Sequence, residues 1–180
     1  ALKMIILAAG YAEPGTVSSH WARGYLNFAL EAGILERGEI TDLDVSMSRI
    51  LTAKVSARAL GVTRQDAQQK FTDTNDDCVQ ALSEIGIIGG YPDGTFRPDQ
   101  RITRQEFFKL LENFCYSAAF KPVLSVDANA LSQFGDASAL SSWAKESAQF
   151  CVTYSYVNGT KDASGSVVLD PTGTASRQEA

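Results

Sequence analysis

The chain has 180 residues, 44% of them hydrophobic and 21% charged, a balance that excludes disorder and fits a globular protein. Its net charge of −5 excludes a broad electrostatic grip on nucleic acid or anionic lipid, so any bound anion must be held locally by a few cations. One histidine, and cysteines without paired spacing, leave no zinc site, and no other metal or cofactor is expected. Cys78, Cys115 and Cys151 are odd in number and sit among apolar residues, so they read as small buried hydrophobes rather than a disulfide framework.

The first element is the apolar run Ala1 to Gly10, which faintly resembles a signal peptide but is too short to span a membrane. It reads instead as an amphipathic helix. The next helix is expected from His20-Trp21-Ala22 through Phe28 to Gly33-Ile34-Leu35, and another opens at Ser48-Arg49. Phe71-Thr72-Asp73 then leads to a helix from Cys78 to Gly86-Ile87-Ile88. After it comes the string GYPDGTFRPDQRITRQEF, with Tyr91 at the turn and Phe107 at its end. Pro92-Asp93-Gly94 is a turn: Pro presets φ, Asp bonds back to the backbone, and Gly supplies positive φ. Thr103 and Glu106 stand at capping-box spacing before a helix whose apolar residues, Phe107, Leu110, Leu111 and Phe114, share one face. A small-residue connector, Lys121 to Gln133, precedes Phe134-Gly135-Asp136, the helix from Ser142-Trp143-Ala144 to Tyr156-Val157, and Ser176-Arg177-Gln178-Glu179.

These elements repeat. Ser48-Arg49, Thr103-Arg104 and Ser176-Arg177 each place a hydroxyl residue before an arginine at a helix start. Gly38, Gly90 and Gly159 share one slot, and Pro98 and Pro171 each precede their arginine by six residues. The units are helix-loop-helix, roughly 55 to 70 residues long, and must share a core because one unit cannot bury its own apolar faces. The divisions expected are residues 1–12, a helix matching the end of a repeat; 13–62, a divergent first repeat; 63–121, the second; and 122–180, the third, its last helix cut short. Lys3, Met4 and Ile5 match Lys109, Leu110 and Leu111, so either the chain is cut from a longer array or the first helix packs where the third unit lacks one, the second being the expectation followed.

An arginine in the first turn of a helix opposes the helix dipole, by a few tenths of a kcal/mol to about 1. It becomes sensible where an anion also comes to that helix end, or where it pairs with an Asp or Glu of a neighbouring unit. Thr103, Ser176, Ser48, Glu106 and Glu179 read as helix caps first. Leu51 stands where the first unit would carry the reciprocal Glu. Asp93 and Asp99 lack the alternating acids and closing Glu of a calcium loop. Tyr91, Trp21 and Trp143 suit either core packing or stacking on sugar rings. His20 has no assignable nucleophile beside it, and no catalytic constellation is present.

The units resemble S-layer homology motifs: an F-x-D start, a W-A helix, a GI-x-GYPDGTF-x-P loop and a TRAE-type helix start. The middle unit is close over Ile85 to Leu111. The third matches at Phe134 to Asp136, Trp143-Ala144 and Ser176 to Glu179. The first keeps Trp21-Ala22, Gly33-Ile34 and Ser48-Arg49 but has no GYPDGTF loop. The resemblance implies a mainly α fold of three helix-loop-helix repeats in a pseudo-threefold bundle, with binding grooves between neighbours. It also implies a non-enzymatic, extracellular anchoring module that holds a cell-wall polysaccharide carrying acidic pyruvate ketals, with other surface-layer proteins as further partners. The candidate glycan-binding residues are Arg104, Arg177, Arg49, Tyr91, Asp93 and Trp143, with Arg104 expected to be removable without unfolding. The alternative is a structural or protein-interaction scaffold that has lost its glycan.

Overall fold

The computed structural model describes residues 1–15, 20–62, 69–117 and 125–175. It is mainly α-helical, as the sequence pattern predicts. Among the described residues six α-helices follow in order: α1 (Leu2–Ala8), α2 (Arg23–Glu31), α3 (Arg49–Leu60), α4 (Asp77–Glu84), α5 (Arg104–Ser117) and α6 (Lys145–Thr153). The strands β1 (Thr160–Lys161) and β2 (Val167–Val168) form a small antiparallel ribbon, with Thr160 opposite Val168.

Helix starts follow the caps. Ser48 Oγ accepts from Leu51 N–H at 3.3 Å, and Asp76 Oδ1 accepts from Cys78 and Val79 N–H. At α5, Glu106 Oε2 accepts from Thr103 N–H at 2.9 Å, and Glu106 N–H donates to Thr103 Oγ1 at 3.4 Å. The shorter helices end alike: the residues just past α2, α4 and α6, Gly33, Gly86 and Ser155, all have positive φ. Two elements differ from the expected helices. Trp21-Ala22 precede α2 rather than lying within it, and Trp143-Ala144 form a 3₁₀ turn, Ser142–Ala144, ahead of α6.

The helices pack in pairs, α1 with α2, α3 with α4 and α5 with α6, and α1 also lies against α3 and α5. The apolar stripe of each builds one core: Ile5 and Ile6 from α1, Ala29 from α2, Val55 from α3, Leu82 from α4, Phe107, Phe108, Leu111 and Phe114 from α5, and Phe150 from α6. Cys115 and Cys151 are buried in it and Cys78 is half-buried, all three as free thiols. Burial pushes the Cys151 thiol well above its ordinary range, so it behaves as an inert small hydrophobe.

One set of contacts is used twice, at the starts of α3 and α5. Arg49 N–H donates to Gln100 O and Ile50 N–H to Pro98 O; Arg104 N–H donates to Gly173 O and Gln105 N–H to Pro171 O. Isolated bridges follow suit, Ser48 with Arg101 and Thr103 with Thr174. The arginine helices α3 and α5 thus dock their first backbone N–H groups on the loops that follow α4 and α6.

Candidate functional site

The loops are built by the F-x-D aspartates. Asp73 accepts from the consecutive N–H groups of Phe96 and Arg97, both at 2.7 Å, and Asp136 accepts from Leu169 and Asp170 at 2.8 and 2.7 Å. Each second residue, Arg97 and Asp170, is thereby held at positive φ, 58° and 46°. Burial alone would raise the Asp73 carboxyl, but the Phe96 and Arg97 amides outweigh it and hold the pKa below its ordinary 3.8. Gly90 is required because a Cβ there would strike the Phe71 ring and the Thr95 carbonyl.

The same loop residues bind the preceding unit through their carbonyls. Arg49 Nε donates to Phe96 O at 2.8 Å, and Arg104 Nε donates to Leu169 O. Arg49 goes further, with Nη2 on Gly89 O at 3.2 Å and Nη1 against Glu106 Oε1 at 3.2 Å. Its guanidinium lies 4.7 Å from the Phe96 ring centroid and 4.9 Å from that of Tyr91. Of the two alternatives for a first-turn arginine, attachment to the neighbouring unit is therefore what the geometry of both Arg49 and Arg104 displays. Arg104 is 2% exposed. Burial lowers its pKa to about 10, against the opposing pull of Asp170 and Asp136. It is not a residue that can be deleted without disturbing the core.

A cavity of about 540 Å³ opens beside Arg49, within the size range of small-ligand sites. Its floor is Gly86 to Pro92. One wall is the face of α5 carrying Glu106, Lys109, Leu110 and Asn113, and Trp143 contributes from the third unit. Asn113 Nδ2 donates to the Gly86 and Ile87 carbonyls, pinning wall to floor. Gln105 Oε1 accepts from Ser141 N–H at 3.1 Å and fixes the turn that carries Trp143. Trp143 is 51% exposed, so of core packing and surface stacking the structure gives it the surface position.

The remaining candidates are placed as follows. Tyr91 lines the cavity, but its hydroxyl donates to Glu106 Oε1 and Arg97 stacks 3.8 Å from its ring centroid. Burial and the Glu106 hydrogen bond raise the Tyr91 pKa. Burial would raise the Glu106 pKa, but Tyr91, Thr103 and Arg49 together lower it. Asp93 sits outside the cavity lining and caps the turn, accepting from Thr95 N–H and Oγ1 and pairing with Arg97 at 3.0 Å. Those bonds, Thr95 first, bring its pKa down to about 2. Ser176, Arg177 and Glu179 lie outside the described residues. Asp73, Asp136, Lys109, Asn113 and Gln105 were not among the candidates. The repeated F-x-D start was the signal for the two aspartates.

Among the described residues no group of His, Cys, Asp or Glu could hold a metal ion, and no helix is long and apolar enough to cross a membrane.

Residues 77–108, from the start of α4 through the loop into α5, match the S-layer homology domain family. Three curated relatives are similar over longer stretches. The surface-layer 125 kDa protein of Lysinibacillus sphaericus is 27% identical over 89% of this chain and 13% of its own length. Cell surface glycoprotein 1 of Acetivibrio thermocellus is 27% identical over 65% of this chain and 5% of its own. The cellulosome-anchoring protein of the same organism is 35% identical over 37% of this chain and 18% of its own. The chain thus spans less than a fifth of each of these relatives. Their names agree with the cell-surface location that the motifs imply. The segment that matches the S-layer homology domain family coincides with the loop and helix that build the cavity.

Proposed function

We propose that this chain is a non-catalytic cell-surface anchoring module and that the cavity beside Arg49 takes a cell-wall polysaccharide. The observation that carries the reading is the half-exposed Trp143 on a cavity whose floor includes three glycines. An open indole face offers a stacking surface for a sugar ring, and the glycines leave room for the ring beside it. Acidic pyruvate ketals on the glycan suit the cations of this cavity, since charge-assisted bonds are about twice as strong as neutral ones.

The scaffold alternative has its own support, because Arg49 and Arg104 spend their side chains on joining one unit to the next. Co-sedimentation with purified bacterial cell walls separates the two. Mild acid cleaves pyruvate ketals, so a glycan anchor is expected to sediment with untreated walls and to stay in the supernatant with treated ones. Equal sedimentation with both would sink the acidic-glycan reading and favour a protein-binding scaffold.

A further inference from the structure

Among the described residues two cations line the cavity, and they differ in state. Arg49 is 8% exposed, and all three of its nitrogens face protein partners: the Phe96 carbonyl, the Gly89 carbonyl and the Glu106 carboxylate. Its charge is matched from within, and its donors are directed at the loop. Lys109 has a side chain 44% exposed. An ammonium carries three N–H donors, and one of them goes to Glu112 Oε2 at 2.9 Å. Glu112 is itself buried and takes the Ser147 hydroxyl of α6 at 2.6 Å on the same oxygen. A carboxylate fixed from a neighbouring helix therefore tethers Lys109 at the cavity wall while leaving donors toward solvent.

The wall also has a direction. Glu106, Lys109, Leu110 and Asn113 lie on one face of α5. Glu106 and Lys109 are three residues apart, about 4.5 Å along the axis. The Glu106 end carries a carboxylate already paired with Arg49 and bonded to the Tyr91 hydroxyl, so it offers oxygen atoms to a ligand's hydroxyls and no free cation to its acid group. The Lys109 end attracts the acid.

We infer that Lys109, and not Arg49, takes the carboxylate of an acidic sugar in this cavity, while Arg49 shapes the floor. This rests on the cavity being a glycan site. Lys109 thereby sets the preference for an acidic over a neutral glycan.

The test uses two synthetic probes, a methyl hexoside 4,6-pyruvate ketal and its neutral 4,6-isopropylidene counterpart, titrated into the whole chain by calorimetry. The wild type is expected to prefer the acidic probe. Lys109→Gln is expected to lose about tenfold in affinity for it, with little change for the neutral one, and Lys109→Arg to restore most of the loss. Added salt should weaken the wild-type preference and leave Lys109→Gln unaffected. Lys109→Gln also takes the cation from buried Glu112, so its thermal midpoint is expected to fall by a few degrees, and affinities are compared at a temperature where circular dichroism shows the variant folded. If the wild type prefers the acidic probe and Lys109→Gln keeps that preference, the assignment is wrong while the glycan reading stands. If the wild type binds neither probe, the glycan reading and this inference fall together.

Discussion

Phe96 is gripped from two directions, its N–H by Asp73 of its own unit and its carbonyl by Arg49 of the unit before. Leu169 is held the same way by Asp136 and Arg104. Hydrogen bonds to charged groups contribute about 1.5–3 kcal/mol, less at exposed positions. Asp73→Asn keeps one acceptor oxygen and is expected to cost about 1–2 kcal/mol, read from urea unfolding midpoints. Arg49→Ala leaves Glu106 without its cation, and a loss of about 3 kcal/mol or more is expected in the same assay. Arg49→Lys should recover only part of it, since an ammonium cannot reproduce the guanidinium fork. The hydroxyl-Arg pair was legible in the sequence as a repeated feature that capping leaves unexplained. That its guanidinium turns toward the next unit's loop was not, because a helix start does not say what lies across from it. Asp73 was visible only as the last letter of a repeated tripeptide: the amides it binds lie more than twenty residues away.

At the scale of elements, the loop between α4 and α5 is one polar network. Asp73 and Asp93 hold the turn, and Glu106 ties Thr103, Tyr91 and Arg49 together. All three carboxyls have pKa values below their ordinary 3.8 and 4.5. A carboxyl depressed in the folded state stabilises above its unfolded pKa, and that contribution is lost as pH falls through the folded value. The melting temperature is therefore expected to hold steady above about pH 5 and to fall in acid below the ordinary carboxylate range. Glu106→Gln should be less stable at neutral pH and show a shallower acid dependence by circular dichroism. A wild-type melting temperature that did not fall in acid would remove the network from the ledger of stabilising contacts. Backbone space is tested by Gly90→Ala, whose Cβ would meet the Phe71 ring and the Thr95 carbonyl. Roughly 2 kcal/mol or more should be lost. The turn residues and the capping box were readable because their bonds are local. The Trp143 turn was taken for α-helix because its Trp-Ala pair continues the apolar spacing of α6. The Ser141 N–H ahead of that turn is held by Gln105 of α5, a contact across 36 residues of sequence.

At the scale of the molecule, α1 is the packing partner of α2. It packs on α2 as α3 packs on α4 and α5 on α6. The match of Lys3, Met4 and Ile5 to Lys109, Leu110 and Leu111 made α1 legible as a helix of the α5 kind, since an apolar register survives when loops diverge. We extend this to a proposal that the three pairs follow a pseudo-threefold plan. Ile5 is fully buried, and Ile5→Ala is expected to cost about 2–4 kcal/mol in thermal unfolding, as a core truncation and not as a frayed terminus. What periodicity could not supply was the cavity. Its lining draws on Arg49 from before the matched segment, on Trp143 from beyond it, and on a wall of α5 whose polar residues carry no motif. The claim that this cavity anchors the chain to the wall is tested most directly by Trp143→Ala. Its dissociation constant for purified cell walls is measured by co-sedimentation beside its melting temperature. Loss of one stacking aromatic should weaken binding by about tenfold or more with the melting temperature within a few degrees of wild type. Wild-type affinity in a folded Trp143→Ala protein would contradict it.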